Sequence, residues 1–127
     1  MLIVDPTSEL HNENQAWERD LAHWKEELYK LDQQVTIITE SWTDDVEQAE
    51  LMKFKNRFGT HIDASRELML AIEDHEDQLR DDSALHYNRL GELAIAVHSN
   101  LGARVQELRK EYRDLKTAYF EFLNNNF

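Results

Sequence analysis

The feature that most constrains this chain is an apolar stripe that recurs every three or four residues along the first third of the sequence. The stripe consists of Leu10, Trp17, Leu21, Trp24, Leu28, Leu31, Val35, Ile38 and Trp42. Steps of three and four average about 3.5 residues, the period of helices that pack in coiled-coil fashion. The stripe therefore predicts one long helix, which begins at Thr7 or Ser8 just after Pro6.

Two further stripes follow in different phases. The second consists of Leu51, Phe54, Phe58, His61, Ser65, Leu68, Ile72, His75 and Leu79, and the third of Tyr87, Leu90, Ala94, Val97, Leu101, Val105, Leu108, Tyr112, Leu115, Tyr119 and Phe122. Capping residues near positions 43 and 83 predict tight turns, so helix two should span about 44–81 and helix three about 84–123. Consecutive steps of four around Leu101 indicate a stutter in the third stripe.

Three such helices predict an all-α fold, an antiparallel up-down-up three-helix bundle of long, coiled-coil-like helices in a single domain over residues 1–127. The chain has only three Gly and one Pro and is 31% charged, which suits long helices with charged outer faces. Gly59 lies inside the second stripe, where a glycine costs up to about 1 kcal/mol. The alternative is a four-helix bundle in which helix two breaks at Gly59.

The net charge of −12 and the absence of cysteine narrow the function classes. An acidic chain lacks the positive potential that binds nucleic acid or an anionic membrane, so neither is expected as a partner. Without cysteine there is no disulfide and no thiolate metal site. The segment from Met1 to Pro6 has no basic residue and is neither a signal peptide nor a membrane span, so we expect a cytoplasmic protein.

Histidines and carboxylates are predicted to gather at one end of the bundle. With turns near 43 and 83, His11 of helix one faces His75 of helix two, and His86 lies at the same end. Imidazole and carboxylate groups bind divalent transition metals such as zinc, iron or manganese, so His11, His75 and His86 are candidate metal ligands. The alternative is a buried histidine that hydrogen-bonds a carboxylate and needs no metal. If solvated in this acidic setting, His75 and His86 would have raised pKa values and stabilise the bundle at mildly acidic pH.

His61 also lies on the second stripe, and the same turns place it near Glu26 or Glu27 of helix one and Glu107 of helix three. A buried histidine–carboxylate pair of this kind fixes the register of a long bundle. The sequence has no Glu-x-x-His motif, no His-Glu-x-x-His motif, no glycine-rich phosphate loop and no nucleophile motif, so an enzyme is not expected.

The tryptophans Trp17, Trp24 and Trp42 all lie on the first stripe and are expected in the core. Small residues of the later helices, Gly102 among them, are expected to make room for their indole rings.

Helix one opens with Glu9-Leu10-His11-x-Glu13, Trp17, Leu21 and Trp24-Lys25-Glu26-Glu27-Leu28, and the chain ends in a basic and aromatic helix from Arg109 to Leu123. In these features it resembles short helical proteins of uncharacterised function from Bacteroidetes-type genomes. The resemblance implies a stand-alone cytoplasmic protein and carries no activity with it.

The expected function is therefore a non-enzymatic role in protein–protein interaction or scaffolding, with no cofactor. Self-association is favoured because several residues beside the stripes widen the apolar surface. These residues are Tyr29, Ile37, Met69, Ile95 and Tyr112. The alternative function is a metal-binding bundle with a divalent transition metal at the histidine end.

Overall fold

Three long helices make up the fold: α1 (Pro6–Ser41), α2 (Asp45–Leu85) and α3 (Glu92–Asn126). The structure is a computed structural model that describes the backbone of residues 6–41, 44–85 and 91–127 and the side chains of 8–41, 44–80 and 91–127. Over these residues there is no strand, and the helices share one hydrophobic core. The predicted all-α three-helix bundle is confirmed.

The course of α2 excludes the four-helix alternative. The helix passes through Gly59 without a break, and a Cβ atom added there would meet nothing within 4 Å. The cost of one glycine is about 1 kcal/mol, whereas breaking the helix would take Phe58 and His61 out of one continuous buried stripe. Burial of the stripe therefore keeps the helix intact.

The first turn lies where the sequence predicts it. Asp44 caps α2, because its Oδ1 accepts hydrogen bonds of 3.0 Å from the backbone N–H groups of Val46 and Glu47. Across the turn, the Gln48 side-chain amide donates to the Thr39 carbonyl at 3.1 Å, which holds α1 and α2 antiparallel. The predicted core residue Trp42 lies outside the described residues.

The second stripe is buried along its whole length. All nine of its residues are in the core, including the polar residues His61, Ser65 and His75. They recur at alternating steps of three and four, so one face of α2 points into the bundle from Leu51 to Leu79.

The second turn is displaced from its predicted place. Helix α2 continues to Leu85, and α3 begins at Glu92 after Gly91, which has φ −65° and ψ 149° and makes no side-chain cap. The prediction of a turn near 83 is wrong because Asp82 and Ser83 are tolerated inside a helix at less than about 1 kcal/mol each. The predicted core residues Tyr87 and Leu90 lie outside the described residues.

From Ala94 onward, where it is described, the third stripe has no stutter. His98 is buried, with 7% of its surface exposed, whereas Val97 is only partly buried. With His98 in the core, Ala94, His98, Leu101 and Val105 follow at regular steps of four, three and four. The predicted stutter is wrong because an apolar residue was preferred to the histidine beside it.

Helices α1 and α3 run parallel and are joined by polar pairs along their seam. Asp20 accepts a hydrogen bond of 2.8 Å from Arg109, and Gln34 accepts one of 2.6 Å from the Tyr119 hydroxyl. Between them Glu27 pairs with Lys116, and this contact lowers the pKa of Glu27. The partners on α1 are spaced by seven residues, which places them on one side of the helix beside its buried stripe.

Indole rings fill the space between these polar pairs. Trp24 stacks on Tyr112 with ring centroids 5.7 Å apart, and the Arg109 guanidinium lies 5.5 Å from the centroid of the Trp24 ring. Trp17 lies against Gly102, where an added Cβ would be 3.1 Å from the indole. The expectation that Gly102 makes room for an indole is confirmed.

His61 joins α2 to α3, but its partner is not a carboxylate. Its Nε2–H donates to the Leu108 carbonyl at 2.8 Å, and its Nδ1 lies 3.3 Å from the Ser65 hydroxyl. A neutral ring with Nε2 protonated accepts at Nδ1, so the Ser65 hydroxyl is the donor. The predicted pairing with Glu26, Glu27 or Glu107 is therefore replaced by a backbone contact one residue from Glu107.

Candidate functional site at the histidine end

The histidine end is the region where the beginning of α1, the end of α2 and the beginning of α3 meet. Each helix contributes one buried polar residue to the core there: Asn14 is 0% exposed, His75 1% and His98 7%. These residues occupy stripe positions that would ordinarily hold Leu, Ile or Val. This end of the core is therefore polar, in contrast to the aromatic and aliphatic core further along.

His75 and His98 face each other across α2 and α3. Nε2 of His75 lies 3.2 Å from Nδ1 of His98, so one of these nitrogens carries the shared hydrogen. Trp17 stacks on the His98 ring with centroids 4.5 Å apart and an interplanar angle of 28°. Gly102 permits this stack, because it lies under the same indole one turn along α3.

A second polar contact joins α1 to α2 beside the histidine pair. The Glu76 carboxylate lies 2.5 Å from Nδ1 of His11 and accepts a hydrogen bond of 2.6 Å from the Asn14 amide nitrogen. His11 is half exposed, and Glu76 is largely covered. The carboxylate thus holds the buried amide of Asn14 and the surface imidazole of His11 together.

Three buried polar atoms at this end have no hydrogen-bond partner among the described side chains: Asn14 Oδ1, His75 Nδ1 and His98 Nε2. The last lies 3.5 Å from an oxygen of Glu13, close enough for an ion pair but without hydrogen-bond geometry. A buried polar atom without a partner costs roughly 1–3 kcal/mol. This end of the bundle is therefore less stable than a fully apolar core of the same size would be.

Burial sets the protonation of His75. Loss of hydration lowers the pKa of His75, the neighbouring His98 lowers it further, and only Glu76 acts in the opposite direction. The expectation of a raised pKa for a solvated His75 is wrong, because the side chain is buried. Nearby on α1, burial raises the pKa of Glu18, and Glu73 and Glu76 add to this effect.

Two of the three predicted metal ligands lie in the described part of the chain. His11 and His75 are both at the histidine end, but His11 contacts Glu76 and His75 contacts His98. The third, His86, lies outside the described residues. Among the residues whose side chains are described, no three histidine or acidic side chains are placed so that they could hold one metal ion.

The sequence prediction missed Asn14, Glu76 and His98. Asn14 fills the gap between Leu10 and Trp17 in the first stripe, so the spacing alone could have placed it in the core. His98 was missed because the second turn was placed too early in the chain, which shifted the expected register of helix three against helix two by several residues. The regular spacing of the third stripe is the signal that could have found it.

Charge is distributed unevenly between the two ends. The half of the helices next to the histidine end (6–24, 66–85 and 91–108) has 13 acidic and 4 basic residues, whereas the other half (25–41, 44–65 and 109–127) has 12 acidic and 9 basic. We call the end of this second half, where α1 ends, α2 begins and α3 ends, the distal end. Most of the net negative charge therefore lies towards the histidine end.

Exposed apolar side chains gather at the distal end. Ile37 is 66% exposed, Phe120 40% and Phe127 49%. Ile37 lies one turn beyond Gln34, the partner of Tyr119, and Phe127 lies seven residues beyond Phe120, so both phenylalanines lie on one face of the chain near the end of α3. Together with the partly buried Leu123, they form what we call the distal patch.

Not every predicted surface residue belongs to this patch. Tyr29 and Ile95 are exposed as expected, but Met69 is partly buried and Tyr112 is buried in the core. Leu93 is 78% exposed, yet it lies with Ile95 at the acidic histidine end.

Comparisons with protein-family models, with curated proteins and with solved structures find no match for this chain. Within the described residues, no helix has the length and apolar character needed to cross a bilayer.

Proposed function

We propose that this protein is a non-enzymatic helical bundle that acts by binding another protein through the distal patch. The observation that supports the proposal is the exposure of Ile37, Phe120 and Phe127 at the distal end. Single exposed apolar residues are ordinary, but several at one end of a charged bundle suit an interaction surface. Aromatic residues at the centre of such surfaces often carry much of the binding energy.

The charge distribution supports the same surface. Acidic and basic residues are nearly balanced in the distal half, with 12 and 9 respectively, whereas the histidine half has 13 and 4. A protein that approaches the distal patch therefore meets little net repulsion or attraction. Binding at the patch would therefore be driven by the burial of apolar surface and not by attraction between opposite charges, which suits a scaffolding role.

The test is the sedimentation of the protein in extracts of cells that produce it at its natural level. Wild-type protein is expected to sediment faster than the free 15.1 kDa chain. The variant Phe120→Glu places a charge in the patch and should sediment as the free chain. Leu70→Glu is the matched control, because Leu70 is 57% exposed on α2 outside the patch, and it should behave as wild type. Equal sedimentation of wild type and Phe120→Glu would contradict the proposal.

A second candidate function is metal binding at the histidine end. It is supported by the 3.2 Å between the facing nitrogens, Nε2 of His75 and Nδ1 of His98. Two nitrogen ligands of one tetrahedral zinc ion, each about 2.0–2.1 Å from the metal, are about 3.3 Å apart. Of the three metal ligands predicted from the sequence, only His75 belongs to this proposed site. His98 is its second ligand.

Calorimetric titration of untagged, metal-free protein with zinc tests this candidate. About one ion per chain is expected to bind, and His75→Ala should abolish the binding. His23→Ala is the control, since the His23 side chain is 69% exposed and pairs only with Glu27 of its own helix among the described contacts. If the wild type gives no binding heat, or if His75→Ala binds zinc with unchanged affinity, metal binding by His75 is excluded.

A further inference from the structure

A groove between α2 and α3 at the histidine end has a volume of about 510 Å³, which is in the range of small-molecule sites. Its floor includes Val97, Leu101 and His75, which is 1% exposed, and its more exposed lining includes Asp74 and Arg104. We propose that this groove binds a small zwitterion with a primary ammonium group and a carboxylate, the chemistry of an amino acid. The ammonium group donates to Nδ1 of His75 beside Asp74, and the carboxylate pairs with Arg104.

The surroundings of the histidine pair determine which ring nitrogens carry hydrogen. The Glu13 carboxylate lies 3.5 Å from Nε2 of His98, so it attracts a hydrogen on that nitrogen and would repel a bare lone pair. In a neutral ring, Nδ1 of His98 is then an acceptor, and Nε2 of His75, which lies 3.2 Å from it, is the donor. The remaining nitrogen of His75, Nδ1, is therefore an acceptor that has no partner among the described side chains.

A buried acceptor without a partner favours a ligand that donates a hydrogen bond. Burial lowers the pKa of His75, so its ring is neutral at pH 7 and Nδ1 keeps its lone pair. A primary ammonium group has several N–H donors, so it can donate to His75 and to the carboxylate of Asp74, which lines the same groove. The ligand group at this point is therefore a cation.

Arg104 determines the charge of the other end of the ligand. Its guanidinium has no hydrogen-bond or ion-pair partner among the described residues. Because His75 lies opposite His98, Arg104 is six residues further along α3, about 9 Å away along the bundle axis. A second cation would be repelled there, and a simple anion would be repelled by the 13 acidic residues of the histidine half. A zwitterion satisfies both conditions.

NMR titration of the metal-free, ¹⁵N-labelled full chain with 5-aminopentanoate, a linear amino acid with its charges at opposite ends, tests the site. Saturable shifts are expected for the amides of residues 71–78 and 96–104, with a dissociation constant of about 1 mM for so small a ligand. Pentylamine and pentanoate each lack one of the two charges and should bind about fivefold more weakly. Absence of saturable shifts in these residues, or equal affinity for all three compounds, would overturn the proposal.

Two surface substitutions distinguish the two ends of the ligand. Asp74→Asn should weaken the binding of both 5-aminopentanoate and pentylamine, whereas Arg104→Gln should weaken only the binding of 5-aminopentanoate. Asp77→Asn is the matched control, because Asp77 is 70% exposed on α2 and does not line the groove, and it should bind as the wild type does. If Asp74→Asn and Arg104→Gln also bind as the wild type does, the two residues do not form the site.

The ¹⁵N resonances of the histidine rings test the proposal without any ligand. At pH 7.5 both His75 and His98 should carry their hydrogen on Nε2. A hydrogen on Nδ1 of His75 would make that atom a donor and would overturn the proposal. His75→Leu removes the acceptor and should weaken the binding of 5-aminopentanoate and pentylamine. Circular dichroism verifies that this variant is folded, and wild-type affinity in the folded variant would likewise exclude His75 from the site.

Discussion

At the scale of single residues, the polar core of the histidine end ties stability to pH. His75 is 1% exposed and its pKa is lowered, chiefly by burial. A group whose pKa is lower in the folded state than in the unfolded chain binds protons preferentially when the chain unfolds. Its contribution to stability is therefore complete above the unfolded pKa of about 6.5 and is lost as the pH falls from there.

We accordingly expect the melting temperature of metal-free protein to fall by several degrees between pH 7.5 and pH 5.5. Circular dichroism at 222 nm measures the melting. His75→Leu removes the titrating ring and should flatten this dependence, whereas His23→Leu, at an exposed position, should not. A melting temperature that rises towards pH 5.5 would show that a carboxylate partner of a histidine outweighs the burial of His75.

Two glycines provide a matched pair of substitutions. Gly59→Ala places a methyl group in open space within α2 and should stabilise the protein by about 0.5–1 kcal/mol through helix propensity. Gly102→Ala has the same propensity gain, but its Cβ would lie 3.1 Å from the Trp17 indole. The indole must then shift away from His98, so we expect no net stabilisation.

Urea unfolding measures both variants, and the near-ultraviolet circular dichroism of the tryptophans reports the Trp17 environment. Gly59→Ala should leave that spectrum unchanged, and Gly102→Ala should alter it. Equal stabilisation by both substitutions would show that Trp17 does not fill the space above Gly102.

At the scale of helices, the apolar spacing predicts the core of α2 completely. Every stripe residue from Leu51 to Leu79 is buried, including His61 and Ser65. Spacing succeeds here because a helix has one period, and a residue at the right position is buried whatever its chemistry. The same rule, applied without regard to polarity, would also have placed Asn14 and His98 in the core.

The link between α2 and α3 shows where the spacing gives no information. Capping residues such as Ser83 occur inside helices as well as at their ends, so they do not fix a boundary by themselves. The error of a few residues at this turn shifted the expected register of α3 against α2 and left His98 out of the predicted cluster around His75. The candidate site was therefore predicted at the correct end of the bundle, with His11 and His75, but without one of its central residues.

At the scale of the whole molecule, the uneven charge predicts a response to salt. Repulsion among the 13 acidic residues of the histidine half is only partly offset by 4 basic ones. Raising the ionic strength from about 0.01 M to about 0.15 M shortens the screening length from about 30 Å to about 8 Å. The melting temperature should therefore increase over this range.

Charge reversal at the two ends tests whether the repulsion is local. Asp74→Lys, on the exposed face of α2 at the histidine end, should stabilise the protein at low salt by about 0.5 kcal/mol. Glu121→Lys makes the same change in charge near the distal end and should have a smaller effect. Equal effects at the two positions would show that only the total charge matters.

The regular stripe of α3 has a consequence for how the helices choose their partners. Leu101, Leu108 and Leu115 repeat every seven residues with similar apolar neighbours, so sliding α3 by one repeat would preserve most apolar contacts. Such a slide would separate His98 from His75, leaving buried ring nitrogens without partners. The buried polar residues thus favour one register of the helices over shifted registers. The apolar contacts alone would be almost equally good in each register. A chain with leucine at positions 14, 61, 75 and 98 should gain stability and lose its single conformation.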